Sequence, residues 1–132
     1  MSNPVTAVPP APAAEVAAHY ARRLAFETDC ADVHAAIAAG EPGFVLLDVR
    51  GPALYAKGHI PGALNLPRGK MTPRCMAEWP DGTLFVVYCA GPHCNGTDKA
   101  ALNLAGLGLP VKVMIGGITG WVDEGFSLTE GA

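Results

Sequence analysis

Two cysteines five positions apart are the residues of this chain best suited to chemistry. Cys89 directly follows the apolar run LFVVY (84–88), and Cys94 closes the segment CAGPHC. A Gly-Pro pair between them interrupts regular structure, and the apolar spacing after Gly96 predicts a helix. The pattern predicts a strand, then a tight loop that begins with a thiol, then a helix.

A thiol in that position lies where unpaired amides and the helix dipole favour an anion. Such surroundings can lower a cysteine pKa from about 8.5 to roughly 3.5–7.5, so Cys89 is a candidate nucleophile. Gly91 lets the loop curl, Pro92 fixes one dihedral angle, and Gly96 permits close approach of the chain. This stretch alone fits equally well a Cys89 that is simply a small buried side chain.

The elements around this loop are predicted from continuous apolar runs. FVLLDV (44–49), LFVVY (84–88) and VKVMI (111–115) are typical of strands buried on both faces of a parallel sheet. LAFET (24–28) could supply a further short strand. A helical stripe between the second and third runs ends before Pro110, which predicts a strand–helix–strand unit and an α/β fold.

Two helices are predicted before the first of these runs. From Glu15 the apolar spacing indicates an amphipathic helix that packs outside the core. Asp29 is expected to cap a second helix, which Gly40 ends, with Cys30 as a small buried side chain on it.

Length and composition indicate one domain. The chain has 132 residues, half of them hydrophobic, and a net charge of -3 that is not clustered, so neither nucleic-acid binding nor membrane binding is expected. The proline-rich residues 1–14 predict a flexible tail, and 15–132 form the domain, including its N-terminal helix. Without a signal-peptide pattern or a spanning apolar run, we expect a cytoplasmic protein whose thiols are reduced at rest.

Three ordered motifs carry a resemblance to a known family. LLDVRGPALYAKGHIPGALNLP (46–67), YCAGPHC (88–94) and GGITGWVDEGFSL (116–128) together resemble the rhodanese-like domain, from about Leu24 to Leu128. The resemblance implies a single-domain α/β fold with a central five-stranded parallel sheet flanked by helices.

The resemblance also implies an activity. Cys89 would be the catalytic cysteine of a sulfurtransferase: it would take sulfane sulfur from a small donor, hold it as a persulfide and pass it to a thiol or protein acceptor. No cofactor and no metal are expected. The implied substrate-binding loop continues from Cys89 through Ala90, Gly91, Pro92, His93 and Cys94.

The loop departs from many thiosulfate-using members, which carry Arg or Lys inside it, and this argues against thiosulfate as the natural donor. Cys94 replaces a position that is often basic. It could come within disulfide range of Cys89 and resolve a persulfide, or it could be a small residue in the first helical turn, close to Asp98.

Four further residues are candidates to support the loop. Asp48 and Arg50 lie in the DVR triplet at the end of the run FVLLDV, should lie near the loop by similarity, and are best explained as a structural salt bridge. His59, in GHIPG, fits a structural histidine better than an acid or base. Asn95 stands where the related cell-cycle dual-specificity phosphatases carry a phosphate-clamping arginine, so phosphatase chemistry is not favoured.

Two alternatives use the same cysteines. A non-enzymatic or redox-sensing module would switch the Cys89–Cys94 pair between dithiol and disulfide. A zinc site on Cys89, His93 and Cys94 has a weak spacing signal and is not predicted. The sequence leaves the oligomeric state open.

Overall fold

The computed structural model describes residues 3–132 as a parallel sheet with helices on both faces. The helices are α1 (Ala13–Phe26), α2 (Cys30–Ala38), α3 (Pro52–Lys57), α4 (Pro73–Met76), α5 (Gly96–Gly106) and α6 (Gly117–Asp123), with a short 3₁₀ helix at Arg68–Lys70. The strands are β1 (Glu27–Thr28), β2 (Val45–Asp48), β3 (Leu64–Asn65), β4 (Phe85–Tyr88) and β5 (Val111–Met114).

The five strands lie in the order β1-β5-β4-β2-β3, and every pair is parallel. The predicted five-stranded parallel sheet is therefore confirmed. β4 is central, with Asp48 of β2 opposite Tyr88. Because parallel strands end at the same edge of a sheet, the segments after β2, β4 and β5 meet there, and we call this the carboxyl edge.

The core has one layer on each face of the sheet, and β4 contributes to both. Val86 and Tyr88 pack with α2 and α6, whereas Phe85 and Val87 pack with α5. All four β4 residues are at most 2% exposed. A strand covered on both faces has an uninterrupted apolar sequence, and this is why β4 could be predicted from the sequence.

The start and the end of α2 agree with the cap residue and the glycine predicted from the sequence. The Asp29 carboxylate accepts the backbone N–H of Asp32 at 2.8 Å, as an N-cap does. The helix ends at Ala38, and Gly40 has a φ of 102°, a value that favours glycine. Cys30 is 5% exposed, as expected for a small buried side chain.

The predicted strand at residues 24–28 is mostly wrong. α1 continues through Phe26, and only Glu27 and Thr28 pair with β5. An ion pair of 2.9 Å between Arg23 and Glu27, four residues apart, supports the last helical turn. α1 begins at Ala13, two residues before the predicted start, and none of its residues is buried, consistent with a position outside the core.

The first 14 residues are described only in part. Residues 1–2 lie outside the described chain, and 3–12 are exposed and contain turns. The flexible tail and the domain division at residue 14 remain predictions. Among residues 3–132, no helix has the length and apolar character needed to cross a membrane.

Candidate active site

Cys89 lies at the carboxyl edge, directly after β4, and is 8% exposed. It opens a loop in which the Cys94 N–H donates to the Gly91 carbonyl at 3.0 Å. α5 begins at Gly96 with Asn95 as its N-cap. The predicted strand, thiol loop and helix are confirmed, but the placement of Cys94 in the first helical turn is wrong, because Cys94 precedes the cap residue.

The start of α6 holds the loop from the other side. Ile118 donates its N–H to the Cys89 carbonyl at 3.1 Å. The N–H and the hydroxyl of Thr119 both donate to the Ala90 carbonyl, at 3.0 and 3.1 Å. These bonds explain why the GGITG segment accompanies the cysteine loop. Sequence reasoning did not single out Thr119, although its hydroxyl within a glycine-rich segment after β5 was the available signal.

Two glycines make the tight loop possible. A Cβ on Gly91 would lie 2.7 Å from the Thr119 hydroxyl oxygen. A Cβ on Gly96 would lie 2.9 Å from the Cys89 sulfur and 3.3 Å from the Cys94 sulfur. The structure thus confirms the close chain approach predicted for Gly96, and the loop can curl only because neither position carries a side chain.

A cavity of about 230 Å³ opens above the two sulfurs. Two carboxylates, Glu27 and Asp98, stand on its wall, and none of the described residues that line it is basic. Ala90, His93 and Asn95 do not line it. The lining residues are Glu27, Cys89, Gly91, Pro92, Cys94, Thr97, Asp98, Val113, Met114, Ile115, Gly116 and Gly117.

The sulfurs of Cys89 and Cys94 are 2.8 Å apart, and each cysteine is a free thiol. Gly96 donates its N–H to the Cys94 sulfur at 3.4 Å. The two sulfurs therefore share one S–H hydrogen bond, and the Gly96 N–H is directed to the Cys94 sulfur of this pair.

The pair does not ionise as the sequence predicted. Burial raises the pKa of Cys89 to about 11, and its hydrogen bond with Cys94 adds to the increase, while the N–H of Ala90 opposes it. The pKa of Cys94 is lowered by the Cys89 hydrogen bond and then by the Gly96 N–H. The expected lowered pKa of Cys89 is thus wrong for this pair: the less buried Cys94 is the cysteine that ionises first, and Cys89 then keeps the shared proton.

Asp48 and Arg50 form a buried ion pair beside the loop. Their side chains approach to 2.7 Å with exposed fractions of 0% and 8%. Arg50 also donates to the Gly58 carbonyl at 2.6 Å. Neither residue lines the cavity. The structural salt bridge is present, and it supports the end of β2 next to the strand that carries Cys89.

His59 and Asn95 do not line the cavity. The His59 ring stacks on Tyr55 with centroids 3.7 Å apart, and its Nδ1 is 2.8 Å from the Tyr55 carbonyl. His59 is 7% exposed and its main chain bridges to Thr129, so it has a structural environment. Asn95 caps α5 without a side-chain hydrogen bond. Over residues 3–132, no group of three or more His, Cys, Asp or Glu side chains is arranged to hold a metal ion.

The chain belongs to the rhodanese-like domain family, whose model matches residues 29–124. It is 34% identical over 84 residues to a sulfurtransferase of Allochromatium vinosum, covering 64% of this chain and 77% of that protein. The crystal structure of BH2092 protein from Bacillus halodurans superposes with a TM-score of 0.85 at 37% identity, covering 89% of this chain and 85% of that one.

A second relative is much longer than this chain. The HTH-type transcriptional regulator Rv0324 of Mycobacterium tuberculosis is 36% identical over 94 residues. The match covers 71% of this chain and 40% of the regulator. The chain therefore spans less than half of that relative.

Proposed function

We propose that this protein is a sulfurtransferase that carries sulfane sulfur as a persulfide on Cys89 and passes it to a thiol or protein acceptor. The observation that carries the proposal is the Cys89 sulfur at the end of β4, under an open cavity and in contact with a second sulfur. Family membership and the relationship to a sulfurtransferase support the same chemistry.

The first step uses both cysteines. The Cys89 sulfur attacks the sulfane sulfur of the donor, and its proton moves across 2.8 Å to the Cys94 thiolate. For a small-thiol persulfide donor, RSS⁻, the products are Cys89–S–S⁻, the Cys94 thiol and RS⁻. Cys94 thus acts as the base, which explains how a thiol with a raised pKa still serves as the nucleophile.

The cavity wall favours particular donors. Glu27 and Asp98 repel an approaching anion, and no lining residue supplies a compensating positive charge. Thiosulfate carries two negative charges, so these carboxylates repel it more strongly than they repel a donor of smaller charge. We therefore expect a donor of smaller negative charge, such as the persulfide of a zwitterionic small thiol or of a protein.

Sulfur loading is tested by intact-mass measurement. The reduced protein is treated with cysteine persulfide, and the Cys89→Ser and Cys75→Ser variants are treated in parallel. We expect the wild type and Cys75→Ser, whose substituted thiol lies outside the cavity, to react, either by gaining one sulfur or, where Cys94 then displaces that sulfur, by losing two hydrogens, and we expect Cys89→Ser to keep its mass. Uptake by Cys89→Ser equal to that of the wild type would exclude Cys89 as the carrier.

A second candidate function is a redox-sensing module, and the 2.8 Å contact between the sulfurs is the observation that favours it. In this function an oxidant, such as hydrogen peroxide, converts the pair to a disulfide, and sulfur donors do not react. Treatment of separate samples with peroxide and with cysteine persulfide distinguishes the two. Loss of two hydrogens with peroxide, with no sulfur chemistry on Cys89, would favour the sensor.

A further inference from the structure

We infer, on the basis of the proposed function, that Cys94 discharges the persulfide within the protein. Cys94 attacks the inner sulfur of the Cys89 persulfide, sulfide leaves, and the two cysteines become a disulfide that an external dithiol reductant must reopen. Cys94 thus competes with an external acceptor for the persulfide, and the external partner class for this route is a dithiol that supplies two electrons.

The geometry places the attacking atom beside its target. The Cys94 sulfur already lies 2.8 Å from the Cys89 sulfur, which becomes the inner sulfur of the persulfide. A disulfide bond is about 2.05 Å long, so the two atoms need to approach by less than about 1 Å. The transferred outer sulfur points to the cavity that Cys89 lines.

The contacts around Cys94 suit an attacking thiol. The Gly96 N–H and the Gly91 carbonyl fix its sulfur and its main chain, at 3.4 and 3.0 Å. The same N–H donor stabilises the anion that forms during attack. Neither remaining cysteine competes, because Cys30 is buried on α2 with its S–H directed to the Ile115 and Gly117 carbonyls, and Cys75 lies on α4.

The step balances without an external oxidant. Before it, Cys89 carries S–S⁻ and Cys94 is a thiol, having accepted the proton of Cys89. The Cys94 sulfur bonds to the inner sulfur, the bond to the outer sulfur breaks, and the proton leaves with that sulfur as HS⁻. The outer sulfur gains two electrons, which come from the two cysteine sulfurs as they form the disulfide.

Reduction of the Cys89–Cys94 disulfide requires a dithiol that can reach the two sulfurs. Cys94 is more exposed than Cys89 and lines the open cavity, so it is the sulfur that an incoming thiolate reaches first. Attack there releases Cys89 and forms a mixed disulfide. The second thiol of the reductant then releases Cys94, which returns both cysteines to the reduced state.

The experiment measures the sulfide released and the mass of the protein in the same samples, in the absence of air and of reductant. Reduced Cys75→Ser protein, in which the tryptic peptide 75–99 holds only Cys89 and Cys94, is compared with the same protein carrying Cys94→Ser or Cys94→Ala. The donor is thiosulfate at high concentration, because it contains no thiol, and inorganic polysulfide is used in a second mass measurement. Sulfide is assayed in the thiosulfate samples, and a donor-free sample shows whether any disulfide forms by adventitious oxidation.

We expect the Cys75→Ser protein to lose two hydrogens, to link Cys89 to Cys94 and to release about one sulfide per chain. Both Cys94 variants, loaded at higher pH because they lack the base, should instead keep one added sulfur, with at least about tenfold less sulfide per sulfur loaded. Dithiothreitol should then restore the dithiol.

If the protein with both cysteines keeps its sulfur as the Cys94 variants do, the inference is overturned and the proposed function stands. If no protein gains sulfur or loses hydrogens with either donor, the proposed function fails and the inference fails with it.

Discussion

The α-carbon of Gly96 lies so close to Cys89 that a Cβ at position 96 would stand 2.9 Å from the Cys89 sulfur. The first residue of α5 therefore sets the space available to the thiol that ends β4. The same Gly96 donates its N–H to Cys94, so one residue limits the position of both sulfurs.

Replacement of Gly96 by alanine should reduce sulfur uptake by about tenfold or more, because the added methyl group displaces the sulfurs from their mutual contact. The initial rate of persulfide formation measures this effect. Gly106→Ala is the matched control: it lies at the other end of α5, and its Cβ would meet no atom within 4 Å. Equal rates for the two variants would contradict the role given to Gly96.

Gly117→Ala should destabilise the protein by more than about 3 kcal/mol. Its Cβ would lie 2.5 Å from the Cys89 carbonyl oxygen, and its φ of +59° is unfavourable for alanine. Gly125→Ala, with a φ of +82° but no atom within 4 Å of its Cβ, should cost only about 1–2 kcal/mol. Urea unfolding of both variants separates the clash with the Cys89 carbonyl from the backbone strain. Similar losses of unfolding free energy in the two variants would argue against a tight contact between α6 and the loop.

Asp48→Asn should cost about 3 kcal/mol of unfolding free energy, because it leaves the buried Arg50 guanidinium without its charged partner. The exposed Arg23–Glu27 pair offers a comparison, and Arg23→Gln should cost less than about 1 kcal/mol. Chemical denaturation measures both. An Asp48→Asn protein as stable as Arg23→Gln would show that the ion pair does not support the end of β2.

Asp98→Lys should raise kcat/KM for thiosulfate by about threefold to tenfold at low salt, since it replaces a repulsive charge at the cavity with an attractive one. The gain should shrink with added salt and be smaller for cysteine persulfide, which carries less negative charge. Asp81→Lys makes the same change in net charge before β4, at the opposite end of the sheet. A similar gain in Asp81→Lys would mean that overall charge, not the cavity wall, sets the donor preference.

Sulfur uptake by the wild type should reach half its maximum below the ordinary pKa of a cysteine. The lowered pKa of Cys94 provides a base in that range, whereas Cys89, whose pKa in the pair is raised to about 11, is protonated throughout it. In Cys94→Ser the base is lost and burial still raises the pKa of Cys89, so the profile should move to higher pH by about one unit or more. The pH dependence of the loading rate tests this, and superimposable profiles would rule out Cys94 as the base.

The sequence predicted the parts of the site that depend on local pattern. The apolar run of β4, the Gly-Pro break and the stripe on α5 placed Cys89 between strand and helix, and the structure agrees. The two-residue strand β3 was not identified, because a strand that short leaves no apolar run or alternation to detect.

The ionisation of the cysteine pair could not be predicted in this way. It depends on how much deeper Cys89 lies than Cys94 and on which sulfur the Gly96 N–H reaches, and both are properties of the folded loop. Glu27 was likewise unforeseen at the cavity, since β1 reaches it only by pairing with β5. Contacts between segments distant in sequence leave no local signal.

The loop is fastened to α6 through the main-chain oxygens of Cys89 and Ala90. Every amino acid supplies such an oxygen, so the fastening does not depend on which side chains stand at 90 and 93. Those two side chains do not line the cavity, so a lineage or a protein engineer could exchange them while the architecture beneath the thiol is inherited intact.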